Sequence, residues 1–425
     1  MVETINNPEE KRISFENRCK GCGVCAAACT NEAINMRINR YGEYQPDLKL
    51  DRCTNCGRCK TVCPMDVNEI GYNTNIMGGY SKYYVAHSRD KEIRWKCSSG
   101  GVVTQILIYL MNIREIEKAV CVGFANADKP YFMPKICRTA EEILECRGSK
   151  YYPVEYSNVL EEIKRSEGSC AIVCLPCVAT AIKRLKNLDK QYNKIKYVIS
   201  ITCGHNKTME YIEFILSNYR LEAPLRHISF RNKGNYPFHR YALKAVDLKG
   251  KSIKEHFDNG IINNLWSGYY FCQIACLKCP DVFGFDGDLS CMDAWRFPYN
   301  NSKNGYNFVI GKEDISNSLI EGNEKLLFKE IGQESVVNSQ RVIIERKTKR
   351  SIPEDYLNNM GLSEKYAAER DELAKSILHK EIMDRVKQRC KGNLVKYVKD
   401  YKSTARQIVD KIRMRFGFYE NLIGR

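Results

Sequence analysis

Eight cysteines within residues 19–63 constrain the fold of this chain more than any other feature. Each of two runs has three cysteines separated by two residues, and a fourth that follows after three more. The runs are Cys19, Cys22, Cys25 and Cys29, and then Cys53, Cys56, Cys59 and Cys63. This spacing lets one tight loop wrap three corners of an iron–sulfur cube. Four-cysteine zinc sites and disulfides are the alternative, but neither explains the fourth cysteine of each run.

The arrangement resembles the bacterial two-cluster ferredoxins, which hold two 4Fe–4S cubes. In those proteins the fourth cysteine of each run binds the cube of the other run. The resemblance implies a first cluster on Cys19, Cys22, Cys25 and Cys63, and a second cluster on Cys53, Cys56, Cys59 and Cys29. The chain departs from the ferredoxin pattern at Thr30, where a proline usually stands. We expect residues 1–75 to form an α+β, ferredoxin-like module with a hairpin between the runs.

Length and charge narrow the remaining possibilities. The 425 residues allow two or three domains. The formal net charge of +16 overstates the basic character, because each cube with four thiolates contributes roughly −2. No recognition motif accompanies this charge, so we expect no nucleic acid as partner. We do not expect the polar N-terminus to be a secretory signal or any apolar run to span a bilayer. The many cysteines predict a protein of a reducing cytoplasm.

The rest of the chain divides into two parts. Residues 82–300 alternate strand and helix patterns, which predicts an α/β domain with a mixed, largely parallel sheet. Predicted strands are 83–86, 118–124, 170–175 and 196–202, with later antiparallel strands at 226–231 and 239–247, and predicted helices are 102–112 and 178–186. Residues 68–81 are predicted to be a linker. Residues 301–425 are predicted to be a basic, mostly helical C-terminal extension, either solvated or in weak contact with a membrane surface.

Two loops of small residues are candidates for holding a phosphate-bearing cofactor. The first, Ser98, Ser99, Gly100 and Gly101, opens into an apolar helix, where free backbone amides and the helix dipole favour an anion. The second is Gly148, Ser149, Lys150 and Tyr151. A helix cap is the alternative for the first loop. Together the two loops predict a site for the pyrophosphate of a flavin dinucleotide.

A second set of cysteines follows predicted strands in the middle of the chain. Cys177 and Cys203 come after two strands of the expected parallel sheet, whose carboxyl ends share one edge. Cys276 and Cys279 form a separate pair with two residues between them. These four thiols are candidate ligands of a third 4Fe–4S cluster. Buried structural thiols are the alternative, and three further cysteines compete for the ligand positions: Cys174, Cys272 and Cys291.

The order of short motifs resembles a known family. The motifs are SSGGV at 98–102, GSKY at 148–151, LPC at 175–177, CG at 203–204, CLKCPD at 276–281, DLS at 288–290 and DAW at 293–295. Over about residues 80–300 this order is similar to the family of beta subunits of coenzyme F420-reducing hydrogenase and dehydrogenase. The resemblance implies FAD on the two small-residue loops, a 4Fe–4S cluster on the four later cysteines, and hydride exchange with the deazaflavin coenzyme F420. Departures at Cys174, Leu175 and Met292 leave the identity of the hydride partner open.

These inferences predict an iron–sulfur flavoprotein oxidoreductase. A flavin exchanges one or two electrons, so it can connect one-electron clusters to a hydride-carrying small molecule. Arg231 and Lys233 are candidates for contacting the anionic tail of the deazaflavin, with a solvated loop as the alternative. His205, close to Cys203, is a candidate for aiding proton transfer, with a structural histidine as the alternative.

Two other functions remain open. One is an electron-transfer subunit without its own hydride substrate, and the other is a partner protein in polysaccharide biosynthesis. A redox partner protein or subunit is expected for the flavoprotein and for the electron-transfer subunit. The sequence does not identify the electron donor or acceptor.

Overall fold

The computed structural model describes residues 19–39, 41–65, 77–125, 128–257, 260–267, 271–277 and 279–350. The N-terminal part contains α1 (Val24–Ala27), β1 (Ile34–Ile38), β2 (Tyr44–Leu48) and α2 (Arg58–Val62). β1 and β2 form the predicted antiparallel hairpin, with Ile34 opposite Leu48. Each short helix begins directly after a glycine with positive φ, Gly23 and Gly57, where an L-residue would be strained.

The rest of the described chain contains eleven strands. They are β3 (Lys82–Ser88), β4 (Lys118–Phe124), β5 (Phe132–Cys137), β6 (Cys170–Cys174), β7 (Ile195–Ile201), β8 (Leu225–Asn232), β9 (Ala242–Asp247), β10 (Ser252–His256), β11 (Leu289–Asp293), β12 (Asn307–Gly311) and β13 (Leu326–Glu330). β8, β9 and β10 form a small antiparallel sheet, and the other eight form the main sheet. The predicted antiparallel strands near 226–231 and 239–247 are therefore confirmed.

Ten helices accompany these strands within the described ranges. They are α3 (Lys91–Lys96), α4 (Val102–Asn112), α5 (Ala140–Glu145), α6 (Ser157–Arg165), α7 (Pro176–Leu188), α8 (Glu210–Asn218), α9 (Gly260–Ser267), α10 (Ile274–Leu277), α11 (Glu313–Ser316) and α12 (Gln333–Arg350). α4 and β4 have the bounds that the sequence predicted. α7 starts at Pro176. Proline is well suited to the first helical position, because the amide hydrogen that it lacks would have had no partner there.

The main sheet has the order β13-β3-β12-β11-β7-β6-β4-β5. The steps β4–β6, β6–β7 and β7–β11 are parallel, and the other steps are antiparallel. β3 is reached from β11 by two antiparallel steps, so it runs in the same direction as β4, β6, β7 and β11. The carboxyl ends of these five strands therefore lie at one edge of the sheet, where ligands of α/β proteins usually bind.

Helices cover both faces of this sheet. On one face α4 and α5 bury Val102, Ile106 and Ile143 against the strands. On the other face α6 and α7 pack in a core that also contains side chains of the N-terminal module, including Val24 and Val62. The ferredoxin-like module therefore shares a hydrophobic core with the α/β part, which fixes its position relative to the sheet.

Two predicted boundaries differ from the structure. The predicted linker at 68–81 lies partly outside the described residues, and its end is buried: Met77 and Tyr80 pack in a core cluster with Phe283. The predicted extension from residue 301 begins instead with two strands of the main sheet, because β12 pairs with both β11 and β3, and β13 pairs with β3. The sheet therefore continues beyond residue 300. The basic helical pattern predicted after residue 350 lies outside the described residues.

Candidate iron–sulfur centres

The first candidate centre lies where the N-terminal loop meets α2. Burial raises the pKa of the Cys19 thiol to about 11, and Cys63 is among the neighbours that raise it further. The thiols of Cys19 and Cys63 also raise the pKa of Cys25, after burial as the main cause. The amide of Gly21 donates a hydrogen bond to the Cys19 sulfur at 3.2 Å. The structure thus groups Cys63 of the second run with the first three cysteines.

The second candidate centre is a cavity formed mainly by the loops that carry the second run of cysteines. Its four cysteines are Cys29, Cys53, Cys56 and Cys59. The amide of Ala33 donates to the Cys29 sulfur at 3.3 Å. Burial is the main cause that raises the pKa of Cys59. A hydrogen bond opposes this rise, and the neighbouring thiols of Cys29, Cys56 and Cys53 add to it. The fourth cysteine of the first run therefore lies with the second run, as its spacing predicts for a two-cluster ferredoxin.

The third candidate centre is a cavity at the carboxyl edge of the main sheet. It is lined by four cysteines from three separate parts of the chain: Cys177, Cys203, Cys276 and Cys279. Cys177 stands in the first turn of α7 after β6, and Cys203 follows β7, which is the adjacent parallel strand. α10 carries Cys276, whose sulfur accepts a hydrogen bond from the amide of Asn206 at 3.3 Å.

The competing cysteines lie elsewhere. Cys174 and Cys291 are buried in the cores on opposite faces of the sheet. Cys272 is also buried, and it does not line the third cavity, although it forms a hydrogen bond with Cys276. Within the described ranges no group of three or more His, Cys, Asp or Glu side chains is arranged to hold a metal ion. The cysteines of the second and third centres instead line cavities, and four thiols around one space form the donor set that a 4Fe–4S cube requires.

The electrostatic environment differs among the four thiols of the third centre. Burial raises the pKa of Cys203 to about 12 and that of Cys177 well above its ordinary value. The hydrogen bond from Cys272 is the main cause that lowers the pKa of Cys276 to about 5. Burial acts in the opposite direction, and Lys20 and the Asn206 amide lower the pKa further. The four thiols therefore have different immediate neighbours, although all of them line one cavity.

The first and third candidate centres are adjacent. Cys22 of the first run also lines the third cavity, and its carbonyl accepts a 2.9 Å hydrogen bond from the amide of Tyr156, which lines the cavity too. α7, which carries Cys177, contacts α2 of the N-terminal module, and Arg184 of α7 donates to the Cys63 carbonyl. A sequence argument does not locate this contact, because it depends on how the two parts pack.

The two small-residue loops meet in the structure. The amide of Ser149 donates to the Ser98 hydroxyl at 2.7 Å. Several of the other predicted flavin-lining residues make protein contacts instead. Lys150 donates to the carbonyls of Cys146, Arg147 and Gly148 at the end of α5. The Ser99 hydroxyl donates to the Tyr306 carbonyl at 2.6 Å.

Three of these residues have roles in packing or in backbone conformation. A Cβ at Gly100 would lie 2.8 Å from the Ala86 carbonyl, so this glycine permits close packing of the loop on β3. Gly101 has a φ of +79° and precedes α4, which is a position that favours glycine. The Tyr151 ring packs against Trp266 with centroids 4.4 Å apart. Ser98, Gly148 and Ser149 lie where the two loops meet, and they also make protein contacts: Ser149 donates to Ser98, and the Gly148 carbonyl accepts from Lys150.

Arg231 and Lys233 do not point freely toward a ligand. Arg231 makes a bidentate ion pair with Asp293, with nitrogen–oxygen distances of 2.8 and 3.0 Å, and its guanidinium lies 4.4 Å from the centre of the Tyr241 ring. Lys233 donates to three carbonyls, those of Arg94, Ser99 and Asn304. Both cations therefore hold loops together, and the expectation that they contact an anionic tail is not supported by this geometry.

An aromatic series connects the second small-residue loop to the third cavity. Tyr151 contacts Trp266, and Trp266 contacts His205, whose ring centroid is 4.4 Å away. His205 lines the third cavity. Lys207 supports this series by donating to the carbonyls of Leu265 and Trp266. Sequence reasoning named His205 but missed Trp266, because a single tryptophan in a helical pattern carries no signal of its partners.

Family models match most of the described chain. The model for the N-terminal part of the coenzyme F420 hydrogenase/dehydrogenase beta subunit matches residues 83–161, and the model for its C terminus matches residues 168–334. The chain belongs to this family of beta subunits. Two models of the 4Fe–4S dicluster domain match residues 18–67 and 45–102. The resemblance inferred from the motifs is therefore confirmed, and so is the iron–sulfur character of the N-terminal module.

Relatives in this family carry names of larger redox enzymes. A subunit of the F(420)H(2) dehydrogenase of Methanosarcina mazei is 26% identical over 203 residues, which cover 46% of this chain and 56% of that protein. The beta subunit of the coenzyme F420 hydrogenase of Methanosarcina barkeri is 22% identical over 316 residues, which cover 68% of this chain and 98% of that protein. The alignment with the first of these relatives thus spans just over half of its length.

A solved structure shares the fold of the family. A chain of the xenon-derivatised F420-reducing [NiFe] hydrogenase complex from Methanosarcina barkeri matches with a TM-score of 0.50 at 18% identity. The match covers 65% of this chain and 92% of that chain. At this identity the likeness concerns the fold. None of the helices within the described ranges is both long and apolar enough to cross a membrane.

Proposed function

We propose that this protein is an iron–sulfur oxidoreductase subunit that carries three 4Fe–4S clusters and passes single electrons between them. The observation that carries the proposal is the third cavity, where four thiols from three parts of the chain face one space that Cys22 of the first cluster loop also lines. Buried structural thiols need no such convergence. The dicluster match at residues 18–67 supports the other two clusters.

The proposed ligands are those of the three groups described above. Cys19, Cys22, Cys25 and Cys63 would hold the first cluster, Cys29, Cys53, Cys56 and Cys59 the second, and Cys177, Cys203, Cys276 and Cys279 the third. When bound, each cube supplies a one-electron redox centre. The protein contributes fixed positions: the shared core between the N-terminal module and α7 holds the first and third sites side by side. Such a protein works where thiols stay reduced, as in a cytoplasm.

We further propose that the three clusters form a series that exchanges electrons with one partner at each end. Relatives named as hydrogenase and dehydrogenase subunits support a partner subunit that delivers or accepts electrons. Their names also support coenzyme F420 as the small molecule that carries hydride. A flavin would then join the one-electron and two-electron steps. The contact between Ser98 and Ser149 supports a flavin site between the two loops, with Ser98, Gly148 and Ser149 as the residues that face it.

Iron counting tests the proposal. Anaerobically reconstituted wild-type protein should hold about twelve irons, from three cubes of four. The double variant Cys276→Ser/Cys279→Ser should hold about eight, because only the third site loses ligands. Cys170→Ala is the control, since this cysteine is buried in the core beneath α7 and lines none of the three sites, and it should keep about twelve. A count of about eight in the wild type would refute the third cluster.

The same preparation separates the alternative functions. Tightly bound flavin in a stoichiometric amount would support an enzyme with its own hydride substrate. Three clusters without flavin would support an electron-transfer subunit that serves a separate catalytic chain. A folded protein without clusters would favour a non-redox role, such as a partner in polysaccharide biosynthesis. Reduction assays with coenzyme F420 against NAD(P)H then identify the hydride carrier.

A further inference from the structure

Two lysine side chains are buried in the wall of the third cavity. Lys20 is 8% exposed and Lys347 is 6% exposed. Lys20 donates to the carbonyl of Ala275 in α10, beside Cys276. Lys347 of α12 donates to the carbonyl of Asp281, and its nitrogen lies 3.7 Å from the Cys279 sulfur. Lysines are almost never this buried unless a counter-charge accompanies them.

The cluster thiols are the groups that share this cavity with the two lysines. Lys20 and Lys347 line it together with Cys177, Cys203, Cys276 and Cys279. Removing an ion from water costs several kcal/mol, so two buried cations require a matching negative charge. A 4Fe–4S cube with four thiolates supplies roughly −2 at this place.

We propose that Lys20 and Lys347 are the counter-cations of the third cluster, and that they hold its reduction potential higher than four thiolates alone would. The inference rests on the proposed third cluster. The charge of two ammonium groups equals the net charge of the cube in size and is opposite in sign. Positive charge near a cluster stabilises its reduced form, because reduction adds an electron to an already anionic group. The lysines therefore make the third cluster a favourable electron acceptor within the series.

Lys20 also links this property to the N-terminal module. It lies between the first-cluster ligand Cys19 and Gly21, yet its side chain ends at α10. Together with Cys22 it forms the part of the third cavity wall that the N-terminal module provides. The third site is therefore completed by the module that would deliver electrons to it, and displacement of that loop would remove one of the two cations.

Paired substitutions separate charge from size. Lys20→Met and Lys347→Met remove the charge with similar side-chain length, and Lys20→Arg and Lys347→Arg keep it. Lys91→Met, at an exposed lysine at the start of α3, is the matched control. EPR-monitored redox titration under anaerobic conditions gives the midpoint potential of each cluster. The signal of the third cluster is identified as the one that disappears in Cys276→Ser.

The expected result is a lower midpoint for this signal in both methionine variants, or loss of about four irons where the site no longer retains its cube. The arginine variants and the control should retain the wild-type midpoint and about twelve irons. Twelve irons with an unchanged midpoint in both methionine variants would overturn the lysine proposal alone. Equal loss in the methionine and arginine variants would also overturn it, since size would then decide. About eight irons in the wild type would overturn the proposed function itself.

Discussion

The ion pair between Arg231 and Asp293 should contribute to folding stability, and its removal provides a sharp test of the site geometry. Both side chains are largely shielded, with 6% and 14% of their surfaces exposed. Asp293 also holds the pKa of Arg231 above its ordinary value, although burial acts in the opposite direction. Removing one partner of a buried pair leaves the other charge uncompensated, which costs about 3–5 kcal/mol.

The magnitude can be expressed as a thermal shift. In a chain of this size, a loss of 1 kcal/mol in the free energy of unfolding lowers the unfolding midpoint by about 2 °C, which is the lower end of the usual range. Arg231→Met and Asp293→Leu should therefore each lower the apparent unfolding midpoint by about 6–10 °C. The double variant should lose much less than the sum, because it leaves no unpaired charge. Anaerobic calorimetry or circular dichroism at matched iron content measures these midpoints.

The chain offers a matched control for this measurement. Lys249 and Glu222 form an ion pair with a nitrogen–oxygen distance of 2.6 Å, but 74% and 68% of their side chains are exposed. An exposed pair contributes about 0–1 kcal/mol, so Lys249→Met should shift the midpoint by no more than about 2 °C. If Arg231→Met behaves like this control or raises the midpoint, Arg231 is not held by Asp293. It would then be available to an anionic ligand.

Two further predictions concern the small-residue loop and the second cluster. Gly100→Ala should destabilise the protein by about 1–3 kcal/mol, because the added Cβ would lie 2.8 Å from the Ala86 carbonyl and 2.9 Å from the Asn307 amide. Gly79→Ala is the control: its Cβ would meet no atom within 4 Å, so stability should change by less than about 0.5 kcal/mol. Equal unfolding midpoints for these two variants would contradict the packing role. Cys29→Ser should remove the same cluster as Cys56→Ala, seen as a loss of about four irons from either variant, and losses from different clusters in EPR would refute the interleaved assignment.

The sequence predicted the parallel core of the fold because its strands are strongly apolar. Residues 118–124 and 170–174 are buried on both faces, so their patterns are clear. Two of the strands that were missed, β5 and β13, have weaker signals. β5 contains Pro134 and lies at the edge of the sheet, where a missing amide hydrogen is tolerated. β13 is also an edge strand, and four of its five residues are exposed, which hides any alternation.

The candidate site was predictable in part for the same reason. The ligand spacings are local, and the positions of Cys177 and Cys203 after adjacent strands follow from the edge rule for parallel sheets. The roles of Arg231 and Lys233 were not predictable, because a basic loop carries no sign of the carboxylate or carbonyls that bind it. Asp293 lies 62 residues from Arg231, and the two meet only when the small sheet packs beside β11.

The buried lysines show most clearly why local patterns are insufficient. Lys20 stands between two cluster ligands in a short loop, where a lysine would ordinarily reach into solvent. Its burial depends on α10, whose Ala275 carbonyl lies 255 positions later in the chain. Lys347 belongs to a charged helix, yet that helix covers the same cavity. The charge of the third site is therefore set by the N-terminal loop, α10 and α12 together, so a change in any one of them should alter the cluster without touching its cysteines.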